Sequence, residues 1–208
     1  MSQVDLWALE RACFEEGLGP ICGVDEAGRG PLAGPVCAAA VIFPREFNVE
    51  EELPGLNDSK KLTDKRRREL FEKIQACAVA YGIAYASHEE IDEINILQAT
   101  FLAMGRAVEQ LQVKPEMALV DGNRTPELGI PVRTIVKGDS ISASIAAASI
   151  LAKVSRDDLM VRMAREYPQY GFEVHKGYGT KRHYGALTEF GVSPIHRKTF
   201  LRKFYGEK

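Results

Sequence analysis

The sequence predicts an α/β fold, a mixed sheet flanked by helices. Short apolar runs bounded by Gly, Pro or Asp recur along the chain and read as strands. Longer stretches carry apolar residues at three- and four-residue spacing and read as helices. Their order, three strands, a long helix, two strands and a second long helix, suits one sheet with helices laid against it. With 208 residues, 45% of them hydrophobic and 27% charged, the chain can bury a sizeable core in a single domain. It has no apolar stretch near the ~20 residues that a membrane span needs.

The opening residues, MSQVDLWALERACFEEG, show helical periodicity and acidic side chains instead of a basic region followed by an apolar signal core. A cytoplasmic protein is therefore expected. PICGVDEAG and GPVCAAAVIF are apolar runs separated by a Gly/Pro turn, the pattern of two neighbouring antiparallel strands. Thr63 is placed to cap a helix over residues 63–80, where Leu70, Phe71 and Ile74 share one face. AYGIAYAS reads as a third strand, and EEIDEINILQATFLAMGRAVEQL as a long amphipathic helix that stops near Pro115. MALVDGN and VRTIVKGD read as further strands, and SISASIAAASILAKVSRDDLMVRMAREYP as a long helix rich in small residues.

Cys13, Cys22, Cys37 and Cys77 never approach C-x-x-C spacing, and two of them sit inside strand-like runs, so reduced and buried thiols are expected. His88, His175, His183 and His196 form no H-E-x-x-H pattern, which argues against a histidine-based zinc site. The net charge of -2 does not describe a protein coated in positive potential, but its distribution is uneven. Residues 176–208 hold eight Lys or Arg against Glu189 and Glu207, and KKLTDKRRR forms a second basic knot at 60–68. Either run alone reads as a solvated face; two runs flanking carboxylates suit a polyanionic substrate better.

Three strand-like runs end in a carboxylate: GVDE, LVDG and VKGD. Any one such Asp reads as a turn former. Strand ends are where ligands collect in α/β sheets, however, so Asp25, Asp121 and Asp139 are candidates to converge. Carboxylates gathered at one edge repel and need cations, and an oxygen-only set selects hard Mg²⁺ or Mn²⁺. Glu26 is a separate problem, because neighbours in an extended strand point to opposite faces. Either it is an ordinary residue or the chain bends there, as Gly28 and Gly30 would permit. The G-x-G-x-x-x-G that follows is no dinucleotide fingerprint: Pro31 lacks an amide donor, and the run after it reads as strand.

At this point the residues resemble a known family, bacterial type 2 ribonuclease H. The matching segments are GVDEAGRGPLAGPVCAAAVI, DSKKL, INILQATFLAM, LVDG, VKGDSISASIAAASILAKVSRD, HKGYGTKRH and SPIHRKTF, in order and over nearly the whole chain. The resemblance implies a ribonuclease H-like five-stranded mixed sheet over residues 1–208, with a helical, basic, substrate-binding portion around 165–208. It implies that Asp25, Glu26, Asp121 and Asp139 bind two divalent ions, Mg²⁺ or Mn²⁺, during catalysis. Gly28, Arg29 and Gly30 would grip the 2′-hydroxyl side of a ribonucleotide, and Tyr178 would stack beneath the neighbouring deoxyribose. Lys60 or Lys61 would meet backbone phosphate, and Lys181 and Arg182 lie in the substrate-binding part. The partners implied are RNA–DNA hybrids and DNA duplexes containing ribonucleotides, with a monomer expected and no protein partner indicated.

The chemistry agrees with that implication. Phosphodiester hydrolysis needs an activated water and a stabilised leaving oxygen, and two metals about 3.5–4 Å apart can supply both. A pocket built to hydrogen-bond a 2′-hydroxyl strongly penalises its absence. Asp157 and Asp158, following SILAKVSR, read as solvated or supporting groups rather than ligands. A sugar-kinase-like ATPase fits poorly, since the glycine after Asp25 comes one residue late and the chain is too short for two lobes. A purely binding module would leave four carboxylates unexplained in a phosphate groove.

Overall fold

The computed structural model describes residues 4–206. In chain order the elements are α1 (Ala8–Glu15), β1 (Ile21–Ala27), β2 (Val36–Ile42), α2 (Val49–Glu52), α3 (Asp64–Cys77), β3 (Ala80–Ala86), α4 (His88–Glu109), β4 (Met117–Asp121), β5 (Val132–Ile135), α5 (Ala143–Glu166), α6 (Phe172–His175), α7 (Lys181–Phe190) and α8 (Lys198–Leu201). The strands make one five-stranded sheet of order β3-β2-β1-β4-β5. β1 pairs with β2 and β2 with β3 antiparallel, while β4 runs parallel to both β1 and β5. The expected mixed sheet and the antiparallel first pair are both present.

Helices cover both faces, which is why β2 is buried along its whole length. On one face α5 packs against Ile21, Ala39, Val41 and Leu119; on the other α4 packs against Val24, Ala38, Ala40 and Val120. The small residues of α5 let it lie unusually close to the central strand. A Cβ at Gly23 would run into the backbone of Ser144 and Ile145. Ser142 starts this helix, its hydroxyl accepting from Ile145 N and donating to the buried carboxylate of Glu10, which thereby ties α1 to α5. A third cluster, containing Leu32, Met160, Tyr170, Phe172 and Leu187, joins the end of α5 to the carboxy-terminal helices.

Thr63 does cap α3, accepting from Arg66 N at 3.2 Å. Two expectations change in detail. The helix predicted through 89–111 starts at a capping box of Ser87 and Glu90 and is broken at Asn95, whose φ of 67° lies outside helical space. Asn95 Oδ1 accepts from Leu97 N and Gln98 N, so it caps the second half. The strand predicted over VRTIVKGD ends at Ile135 instead; Lys137 turns left-handed, and Asp139 sits in the 3₁₀ turn Gly138–Ser140.

Candidate metal centre and nucleic-acid interface

Alternation along β1 and β4 places Asp25 on the same face as Ile21, and Asp121 on the same face as Leu119, the side covered by α5. Asp139 reaches that face from its turn. Asp121 Oδ1 accepts from Gly138 N at 2.7 Å, which pins the turn to the end of β4. One carboxylate oxygen from each of Asp25, Asp121 and Asp139 lies within 4.8 Å of the others. Asp25 and Asp139 are only 6% and 7% exposed. Burial, then the charges of Glu26 and Asp121, hold the Asp25 carboxyl well above the usual range. Burial, then Asp58 and Asp121, raise Asp139.

Glu26 lies on the opposite face of the extended strand and is outside the 4.8 Å set. Its Oε1 is 3.4 Å from Arg29 Nη1. Burial raises this carboxyl, Arg29 pulls it back, and Asp121 pushes it up again, so Glu26 still feels the cluster. Lys60 is the cation turned toward the acids: burial opposes its charge, but Asp25, Asp58, Asp139 and Asp121 together raise its pKa. Lys61 reaches the cluster only indirectly: its Nζ donates to Ser140 Oγ at 3.1 Å, and that hydroxyl donates to Asp139 Oδ1 at 3.3 Å. Three converging carboxylates with no nitrogen or sulfur donor among them fit a hard divalent cation such as Mg²⁺ or Mn²⁺.

Beside the acids, the chain leaves β1 through Gly28, whose φ of 95° an L side chain rarely adopts. Two buried arginines hold this loop: Arg156, which sequence reasoning gave no role, and Arg197, which it counted in the basic run. Arg197, fully buried, donates to the carbonyls of Gly28 at 2.7 Å, Arg29 at 2.9 Å and Gly34 at 2.8 Å. Arg156, 1% exposed, donates to the carbonyls of Pro35, Ala33 and Lys176. In a trans peptide the N–H points opposite to the preceding C=O, so the amides of Arg29 and Gly30 face away from the Arg197 guanidinium. Tyr178, far away in sequence, closes the same site: a Cβ on Gly30 would lie 3.6 Å from its ring.

The family described as ribonuclease HII matches residues 22–204. The chain belongs to the ribonuclease HII family. It is 58% identical over 194 residues to ribonuclease HII of Chlorobaculum parvum, covering 93% of this chain and 95% of that one. Ribonuclease HII of Desulfitobacterium hafniense is 56% identical over 191 residues, covering 92% and 72%. Among solved structures, the ribonuclease H2 of Pyrococcus horikoshii OT3 superposes with a TM-score of 0.76 at 30% identity, covering 89% of this chain and 97% of that one. As a member of that family, the chain is an endoribonuclease.

Lys181 and Arg182 are exposed at the start of α7, and Arg182 pairs with Glu173 at 3.3 Å. Asp157 pairs with Lys153 at 2.8 Å and Asp158 with Arg68 at 2.6 Å; neither joins the cluster. Asp58, in the DSKKL segment, was not singled out; it caps the turn that presents Lys60, accepting from Lys60 N at 2.9 Å. Arg197 had been counted with the basic run, where a buried arginine and a solvated one look alike. Lys208, from the same run, lies outside the described residues.

Proposed function

We propose that the protein hydrolyses the RNA strand of RNA–DNA hybrids and incises duplex DNA on the 5′ side of embedded ribonucleotides, leaving 3′-hydroxyl and 5′-phosphate ends. The observation that carries this reading is the convergence of Asp25, Asp121 and Asp139 within 4.8 Å beside a glycine loop faced by Tyr178, whose ring a Cβ on Gly30 would meet at 3.6 Å. A centre able to hydrolyse phosphodiesters thus adjoins a surface able to read a sugar.

Asp25, Asp121 and Asp139, with Glu26 from the other face, would hold two divalent ions, Mg²⁺ or Mn²⁺. Such ions supply an activated water and a stabilised leaving oxygen. The chain's own residues do the rest. Lys60 presents its ammonium to phosphate beside the acids, and the Arg29 and Gly30 amides offer hydrogen bonds to a 2′-hydroxyl. The Tyr178 ring stacks on the following sugar, which is then preferably deoxyribose, with no hydroxyl to meet the ring. Lys61, Lys181 and Arg182 add sequence-independent phosphate contacts. No described helix is long and apolar enough to cross a membrane, and we read the protein as a cytoplasmic monomer.

The test is a labelled DNA duplex carrying one ribonucleotide, incubated with and without Mg²⁺. A Mg²⁺-dependent nick 5′ to the ribonucleotide with a 3′-hydroxyl end is expected, and 2′-O-methyl substitution should block it. Products ending in a 2′,3′-cyclic phosphate would overturn the mechanism.

A further inference from the structure

Three histidines lie buried beneath the loop that carries Tyr178, and the reaction as described uses none of them. His175 and His183 stack with ring centroids 4.5 Å apart, and His196 lies 5.1 Å from His183. Their hydrogen bonds fix the position of every proton. The Ser193 N–H donates to His196 Nδ1 at 2.8 Å, so that nitrogen keeps its lone pair and His196 carries its proton on Nε2. His196 Nε2 is 2.9 Å from His183 Nε2, which must accept. The proton of His183 is therefore on Nδ1, and it is donated to the Tyr178 carbonyl at 2.9 Å. His175 accepts from Gly177 N on Nδ1 at 3.2 Å and donates from Nε2 to the Tyr170 carbonyl at 2.8 Å.

All three rings are thus neutral, and a second proton on any of them would set N–H against N–H. Every lone pair is committed to a donor, which leaves none for a metal. Burial lowers all three pKa values, that of His196 to about 4.

The relay acts on a turn that needs holding. Lys176 and Gly177 both have positive φ, 52° and 86°. Gly177 is gripped at both ends, by His175 on its N–H and by the Leu32 N–H on its carbonyl. The relay also starts one residue before Arg197. The segment 193–197 therefore holds the Gly28–Arg29 carbonyls through its arginine and the Tyr178 carbonyl, by way of His183, through its histidine.

We propose that His196, His183 and His175 are positioning residues that set the distance between the Tyr178 ring and the Gly28, Arg29 and Gly30 backbone, so that ribonucleotide selectivity depends on segment 193–197. This rests on the reading of those two elements as halves of one ribonucleotide sensor. His183→Phe keeps an aromatic ring for stacking, one atom larger, but removes both hydrogen bonds; His183→Asn places an amide donor where Nδ1 stood.

The test is a double-mutant cycle on the single-ribonucleotide duplex. His183→Phe should lower kcat about tenfold or more with little change in KM, because a displaced ring misaligns the phosphate. In a Tyr178→Ala background the same change should cost nothing further. His183→Asn should recover most of the loss. A full additional loss on top of Tyr178→Ala, or an Asn variant no better than Phe, would overturn the proposal. If Tyr178→Ala itself cuts as well as the wild type, it is the sensor reading that falls, whereas an impaired Tyr178→Ala beside an unaffected His183→Phe sinks only the relay. Imidazole ¹⁵N shifts of the wild type give a check independent of any variant's folding: His175 and His196 should be Nε2–H tautomers and His183 the Nδ1–H tautomer. Any other set refutes the relay.

Discussion

Asp25 shows how strongly one residue can be held against its own preference. Its carboxylate is buried among acids, so the folded state resists its ionisation, and a cation relieves that cost. Asp25→Asn should abolish cleavage while leaving duplex binding intact. Without metal the variant should melt higher than the wild type, by about 2–4 °C for each kcal/mol of relieved repulsion. Adding Mg²⁺ should raise the wild-type Tm more than that of the variant, which differential scanning would show. Arg197 makes the opposite case, a cation without a carboxylate among its hydrogen-bond partners, held by three carbonyls and with its pKa lowered by burial to about 9. Arg197→Lys cannot reach all three, and orphaned carbonyls should cost about 3 kcal/mol in urea denaturation. The acids were legible because an acid ending an apolar strand breaks a pattern. Arg156 and Arg197 were not, because nothing in a sequence separates an arginine facing water from one facing main-chain oxygens.

Elements were legible where period and cap agreed, as in α3 with Thr63 and α5 with its run of small residues. The reason for those small residues appears only in three dimensions: α5 presses on β1 at Gly23. Gly23→Ala should destabilise the fold by several kcal/mol or prevent it, since the opposing atoms are backbone and cannot turn aside. A Gly23→Ala protein as stable as the wild type would refute that packing account. The break at Asn95 was hidden, because the apolar spacing on either side continues through it and only the amide's capping bonds reveal the change of direction. Asp139 was read at a strand end and sits in a turn instead. Its convergence with the other acids survived because the Gly138 amide anchors that turn to Asp121.

For the whole molecule, the uneven charge predicts function better than the net charge does. Neutralising Lys181, Arg182 and Lys198, all exposed, should weaken duplex binding and flatten its salt dependence by about one unit of log–log slope per lost phosphate contact. An unchanged slope would return these residues to the solvated face. The buried histidines give the fold a pH dependence of definite sign. Their folded pKa values lie below the ordinary 6.5, so the unfolded chain takes up protons first as pH falls. Their contribution is complete above about pH 6.5 and is lost toward the His196 value of about 4, on the order of 3 kcal/mol for that residue alone. Arg182 and Glu173 beside His175, and His88 beside His196, bear on the same titration. The buried acids, whose carboxyls are raised, shift stability in the opposite sense over the same range, so the check is an imidazole NMR titration of the native protein: His175, His183 and His196 protonating at or above the ordinary 6.5 would contradict it.

The strand order has a consequence for the making of the chain. β1, which carries Asp25, is flanked by β2, the next strand synthesised, and by β4, which arrives only after β3 and two long helices. Asp25 therefore leaves the ribosome well before Asp121 and Asp139 exist, and Tyr178 and Arg197 come later still. Long-range pairing of this kind is slow to close. A growing chain can bury its first hairpin yet holds no assembled cluster of acids until Asp139 has emerged. The candidate metal centre is complete shortly before the candidate sugar-reading surface, which waits for Tyr178.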